Sequence, residues 1–326
     1  MRYPVLGRLS VILPLVAVVS IAAAGSPAAA SANRPPQVRS FLIPSRGGQP
    51  IKITLGPDGN MWFTEQNAHQ VARITPNGEI TEFPTPDPNA LPWDITAGPD
   101  GNVWFTEGSN GKIARITPEG RIRELSFSTF DAAGGITTGP DRNIWFTDTT
   151  GDRVWRFDPR SHALTSFPVP TANSFPGFIT PGSDGNLWFV ETAAGKLAKI
   201  TLQGQVTEFD QRLQQPTGIT LGPDGNVWFT EPFIRTIGKV TPDGTFTFYR
   251  STLHTLDDIT TGPDGRLWFT SFGDDRVASI TIDGVIRPSP IFQNSAPTGI
   301  ARGPADHPSI WFIGYGNDRI YRLALS

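Results

Sequence analysis

Lys112–Thr117 reads KIARIT, in which polar and apolar residues alternate with the period of a half-buried strand. The flanking segments fit the same reading. Trp93–Gly98 (WDITAG) has β-propensity and ends on a glycine, Val103–Glu107 (VWFTE) is a second strand, and Arg121–Leu125 (RIREL) is a fourth. Between them stand PDGN, GSNG and PEG, which carry the proline, glycine and Asp/Asn chemistry of turns and short loops. The pattern predicts four short antiparallel strands joined by tight connections.

This unit recurs along the chain. A Trp-Phe pair stands at Trp62, Trp104, Trp145, Trp188, Trp228, Trp268 and Trp311, with spacings of 42, 41, 43, 40, 40 and 43 residues. Each pair follows a turn of the GPDGN type, the last in the looser form GPADHPSIWF. Four strands repeated at that period make the blade of a β-propeller, so the expected fold is all-β with seven four-stranded blades. One ring of each Trp-Phe pair is expected to pack between adjacent sheets, because successive side chains leave opposite faces of a strand.

The last repeat stops after its third strand, DRIYRLALS. Ahead of the first repeat stands QVRSFLIP (Gln37–Pro44), which reads like the fourth strands EITEFPTP (Glu79–Pro86) and ALTSFPVP (Ala163–Pro170). Val38–Ile43 is therefore expected to complete the seventh blade as its outer strand, tying the ends together and removing an open edge.

Residues 1–32 have a different character. Arg2 and Arg8 precede the apolar run Val11–Ala24, and SPAAASA supplies small residues for cleavage. This is the layout of a secretory signal peptide, with a run too short for the roughly 20 residues of a spanning helix. The expectation is a secreted or periplasmic protein, soluble and monomeric after cleavage, whose residues 33–326 form one propeller domain.

Composition narrows the chemistry. The absence of cysteine excludes disulfides, a thiolate nucleophile and Cys-ligated metals. The chain has 27 Lys and Arg against 30 Asp and Glu, and losing Arg2 and Arg8 takes the net charge from −3 to −5. With basic residues scattered over all blades, nucleic-acid binding is disfavoured. Seven of the nine Trp mark the blades, which leaves Trp93 and Trp155 to be explained separately.

Strand order places two sets of loops on one face: those after WFTE and those before each inner strand. The position two after each Phe is Glu65, Glu107, Asp148, Glu191 and Glu231, then Ser271 and Gly314. Glu65, Glu107 and Glu231 are the candidates for oxygen ligation of a divalent cation. The alternative is that each carboxylate serves its own blade, beside basic residues such as Lys112 or Arg153. The loops before the inner strands offer Lys52, Trp93 with Asp94, Phe178, Thr217, Asp257 with Asp258, and Thr298. Trp93, Asp94, Phe178, Thr217 and Thr298, with Tyr315 from the seventh blade, are the candidate ligand-binding residues; Trp93 is suited to stacking. His254 stands three residues before Asp257, so His254, Asp257 and Asp258 are the candidate acid–base set.

The units GITLGPDGNVWFTE, KIARITPEG and ITEFPTP resemble the blade repeat of the virginiamycin B lyase (streptogramin lyase) family over nearly all of Pro36–Leu325. That resemblance implies a magnesium-dependent lyase that opens a cyclic depsipeptide by elimination across its ester. It also implies a His before the sixth inner strand, a Glu and a His before the seventh, and a Glu after the seventh Trp-Phe pair. At those places this chain has Asp257, Ala296, Thr298 and the stretch Gly314–Gly316. The architecture carries over and the four catalytic side chains do not. Three roles stay open: a lyase-like propeller that binds a small molecule or cyclic peptide, an active lyase with a rearranged site, and a protein-interaction scaffold.

Overall fold

A computed structural model describes residues 37–108, 111–127, 130 and 132–325; the expected leader, residues 1–32, lies outside them. The described residues form 28 strands in seven four-stranded antiparallel sheets, numbered here as blades one to seven. Blade two is the template: Pro92–Ala97 innermost, then Val103–Glu107, Lys112–Ile116 and Ile122–Ser126. Among the described residues no helix is long and apolar enough to cross a membrane.

The ring closes as the sequence predicts. Blade seven combines Pro297–Arg302, Ser309–Gly314 and Arg319–Ala324 with Val38–Leu42, which pairs antiparallel to Arg319–Ala324 from Val38↔Leu323 to Leu42↔Arg319. Ile43 leaves the ladder one residue early, yet its N–H still donates to Asp318 O at 2.9 Å.

Every residue of the template's second strand is buried, and the Trp-Phe pair splits between two neighbours. Trp62 of blade one packs with Phe105 of blade two, Trp104 with Phe146 of blade three, and Trp311 of blade seven with Phe63 of blade one. The indole is also anchored at its polar edge. Trp62 Nε1 donates to Asp58 Oδ1 at 3.0 Å, so the repeated Asp of PDG is a partner for the ring as well as a turn former. The glycine opening that turn is sterically required, since a Cβ on Gly56 would lie 2.4 Å from Trp62 Cδ1.

The inner strands carry the fold's irregularity. Their pairing register slips between Pro92 and Ile95 in blade two, and at the matching place in blades one, three, four, six and seven. A bulge of this kind re-aims side chains, here toward the central channel. The Thr of each WFT segment holds it: Thr106 Oγ1 accepts from Asp94 N at 3.1 Å and donates to Gly134 O of the next blade at 2.8 Å.

Candidate ligand-binding site

Each inner strand, or in blade five the residue just ahead of it, presents one residue at an equivalent position: Lys52, Asp94, Gly135, Phe178, Gly218, Asp258 and Gly299, in blades one to seven. Large and absent side chains share the channel. A Cβ on Gly135 would meet Phe178 Cα at 2.6 Å, one on Gly218 would meet Asp258 Cα at 2.9 Å, and one on Gly299 would meet Lys52 Cα at 2.9 Å. Each glycine lets the following blade's backbone approach, and that blade supplies a long side chain.

Lys52 is the centre of a charged knot. Its Nζ lies 2.8 Å from Asp258 Oδ1 and 3.6 Å from the centroid of the Phe178 ring. The two buried aspartates also staple blades. Asp94 accepts from Ile95 N at 2.9 Å and from Ile136 N of blade three at 2.8 Å. Asp258 accepts from Ile259 N at 3.0 Å and from Ile300 N of blade seven at 3.1 Å.

Burial pushes Asp94 up to about 6, against the pull of Lys52 and the two backbone N–H groups. Burial also pushes the half-buried Asp257 up to about 6, opposed by Lys52 and reinforced by Asp258. Burial alone would lower the Lys52 pKa; the carboxylates of Asp258, Asp94 and Asp257 reverse that, and the shift is upward. The charged form of Lys52 is thus favoured by the carboxylates around it, Asp258 Oδ1 at 2.8 Å first among them.

Beside this knot, on the face of the WFTE loops, lies a pocket of about 580 Å³. Trp93, Phe175, Phe178, Gly134, Gly177 and Thr217 line it. Its volume falls in the range of small-molecule sites, and its walls combine aromatic rings with bare peptide edges. Three residues singled out from sequence, Trp93, Phe178 and Thr217, therefore meet in one cavity.

The other candidates lie elsewhere. Asp94 is buried in the channel and Thr298 is buried with its hydroxyl 3.5 Å from Pro50 O. Tyr315 begins a short 3-10 turn, Tyr315–Asn317, with its ring 6.1 Å from that of Phe272. His254 is exposed and its Nδ1 sits 3.1 Å from Asp274 Oδ1, while Asp258 bonds Lys52 and backbone; the expected His254–aspartate set is not assembled. Glu65, Glu107 and Glu231 each end the second strand of a different blade, beside their own blade's residues. Glu107 faces Lys112, and Glu231 accepts from Gln214 N at 2.7 Å.

Two features escaped the sequence reading. The central role of Lys52 and the glycines opposite each long side chain show only when residue size is compared down the seven bulge positions. Phe175 has no repeat signal, and its exposed ring reaches the pocket from a connecting loop.

The sequence profile of the Virginiamycin B lyase family matches residues 23–215 and 210–326. A virginiamycin B lyase of Saccharopolyspora erythraea is 41% identical over 49 residues, which is 15% of this chain and 16% of that protein. A crystal structure of virginiamycin B lyase from Staphylococcus aureus superposes with a TM-score of 0.83 at 34% identity, covering 89% of this chain and all (100%) of that one. A catalytically inactive His-to-Ala variant of the Staphylococcus aureus enzyme, with quinupristin, gives 0.82 at 33% identity over 89% of this chain and 100% of that one.

Proposed function

Since the chain belongs to the virginiamycin B lyase family, we propose that it binds a cyclic peptide or comparable small molecule on its pocket face and does not carry out the family's elimination. The observation that carries this reading is the cavity itself. Trp93 and Phe178 offer faces for apolar or aromatic groups, and the glycines Gly134 and Gly177 leave peptide edges for amides. The positions expected to hold catalytic His and Glu carry Asp257, Ala296, Thr298 and Gly314–Gly316 instead. We further read the chain as exported, with residues 1–32 as its signal.

The residues in the channel do not fit the family's magnesium. Those four positions supply one carboxylate, and the Lys52 ammonium already occupies the oxygen-rich spot against Asp258 at 2.8 Å. A divalent ion there would face a fixed positive charge.

One observation favours a second reading. Asp257, raised to about 6, retains basicity at the channel mouth, which suits a group that removes a proton from the carbon next to the one bearing the ester oxygen. Elimination would then move that proton to Asp257, its C–H electrons forming a C=C bond as the alkyl C–O bond breaks and that bond's electrons leave with the carboxylate.

Calorimetry of the protein with a type B streptogramin, followed by mass analysis of the mixture with and without magnesium, separates the readings. The first expects saturable binding and intact cyclic ligand. A linear product lost in Asp257→Asn would establish the second, and neither heat nor product would leave an interaction scaffold.

A further inference from the structure

The second-strand carboxylates differ in what faces them. In blade two Glu107 pairs in register with Lys112, whose Nζ lies 2.7 Å from Asp87 Oδ2 and 2.8 Å from Glu124 Oε2. Blade four repeats the arrangement: Glu191 pairs with Lys196, whose Nζ lies 2.8 Å from Glu208 Oε2 and 2.8 Å from Thr171 Oγ1. One ammonium in each blade offsets two glutamates, one on each of the strands that flank its own.

Blade one has the same glutamates and no ammonium at the matching place on its third strand. Glu65 corresponds to Glu107 and Glu191, and Glu82 to Glu124 and Glu208. The loop contact proves the equivalence: Glu82 Oε1 accepts from Ser45 N at 2.8 Å, as Glu124 does from Asp87 N at 2.7 Å and Glu208 from Thr171 N at 2.8 Å. The lysine position is Gln70, which pairs with Glu65 and whose Nε2 donates to Ser45 Oγ at 3.0 Å.

A second observation points to a ligand. Glu65 is 0% exposed, and among the described residues neither of its carboxylate oxygens makes a hydrogen bond of good geometry, with only the Gln70 amide beside it; Glu191 of blade four is in the same state but has the Lys196 ammonium next to it. Burying a carboxylate in that state is costly unless something charged or protic meets it. Burial and the nearby Glu82 push Glu65 up to about 8; the Gln70 amide offsets part of this and Asp318 adds to it.

We propose that Glu65 and Glu82 of blade one bind a calcium ion, in the role that a lysine ammonium fills in blades two and four. The available donors are the two carboxylates, the Ser45 hydroxyl and the Gln70 amide oxygen. An all-oxygen set selects a hard cation, and its irregular mixture suits the flexible coordination of calcium better than the strict octahedron of magnesium. Ser45 stands three residues past Leu42, the end of the strand that closes the ring, and Gly47 N donates to Asp318 Oδ2 of blade seven at 3.1 Å. The ion would therefore tie blade one to the closure. This site is separate from the ligand pocket and does not depend on the function proposed for it.

The test is thermal unfolding and calorimetry of the full chain with calcium chloride or with EDTA, for the wild type, Glu65→Gln and Gln70→Lys. The wild type should bind calcium and gain about 5 °C at saturation. Glu65→Gln should lose that gain. Gln70→Lys, which installs the chemistry of blades two and four, should unfold at a higher temperature in EDTA and no longer respond to calcium. If the wild type gives no heat and no shift while Gln70→Lys is stabilised, the two glutamates merely share a proton and the proposal fails. An equal calcium response in all three proteins would also overturn it, by placing the ion elsewhere.

Discussion

The interfaces between blades and the ring of bulges around the channel are built on the same backbone repeat, and they use it in opposite ways. Each blade interface sets a tryptophan of one sheet against a phenylalanine of the next, and Trp311 with Phe63 returns the pattern to its start. At the bulge the same backbone position carries lysine, aspartate, phenylalanine or glycine. Repetition therefore marks what holds the ring, and its interruption marks what the ring presents. The pocket forms where the starts of the inner strands of blades two to five and the residues just ahead of them combine Trp93, Gly134, Gly177, Phe178 and Thr217.

The sharpest way to break the comparison is to remove one member of each set. Trp145→Ala deletes a fully buried ring, stacked on Phe167 at 5.6 Å and anchored to Asp141, and should cost about 3–5 kcal/mol in denaturant unfolding. Lys52→Met should cost a similar ~3–5 kcal/mol, for a different reason: Asp258 is left buried without its cation. The double variant Lys52→Met/Asp258→Asn, which removes both charges and keeps an acceptor for the backbone N–H groups, distinguishes the two causes. It should recover much of the loss if charge burial is responsible, and recovery has no counterpart at the tryptophan interface.

A smaller effect tests the alternation of size. Gly135→Ala would set a methyl 2.6 Å from Phe178 Cα and 2.7 Å from Gly177 O, so blades three and four must part. The expected loss is about 1–3 kcal/mol. Gly101→Ala, in an open turn with nothing within 4 Å of the added carbon, is the control for backbone strain alone, since its φ is +79°.

The pH profile should be gentler still. Burial raises Asp94 and Asp257 to about 6, Glu191 to about 7 and Glu65 to about 8. Each folded-state pKa lies above its unfolded value, so folding takes up protons. Stability from these groups is present below about pH 4 and is lost as pH rises through the folded values. Asp100, Asp184, Asp224, Glu208 and Asp274 are lowered, and they act only at more acidic pH. The melting temperature should therefore fall between about pH 5 and about pH 8. Glu65→Gln should flatten the upper part of that fall.

The fold was legible because it is written seven times. Trp-Phe spacing, the turn residues and the resemblance of Gln37–Pro44 to other fourth strands lead to the blade count and to the closure. The site was legible only in part. Trp93, Phe178 and Thr217 stand out as departures from a repeat, and the structure brings them together. The link between His254 and the aspartates was suggested by closeness in sequence, but His254 turns to Asp274 in the next loop while Asp258 turns inward to Lys52. The second-strand carboxylates look like a shared band in sequence. In space each sits in a different blade and answers to partners of that blade. A ring fold converts sequence periodicity into angular separation, so like residues seldom meet. Residues meet in the channel instead, where blades one, two, four and six converge through bulges that a single-sequence reading does not register.

The central claim is that this propeller retains the family's binding face without its elimination chemistry. Incubation with a type B streptogramin and magnesium at high protein concentration, with the ligand analysed by mass, tests it most directly when paired with calorimetry on the wild type and Trp93→Ala. The account predicts saturable binding, intact cyclic ligand, and a loss of affinity of about tenfold or more in Trp93→Ala with stability changed by less than ~1 kcal/mol. Accumulation of the linear product over repeated turnovers would contradict it.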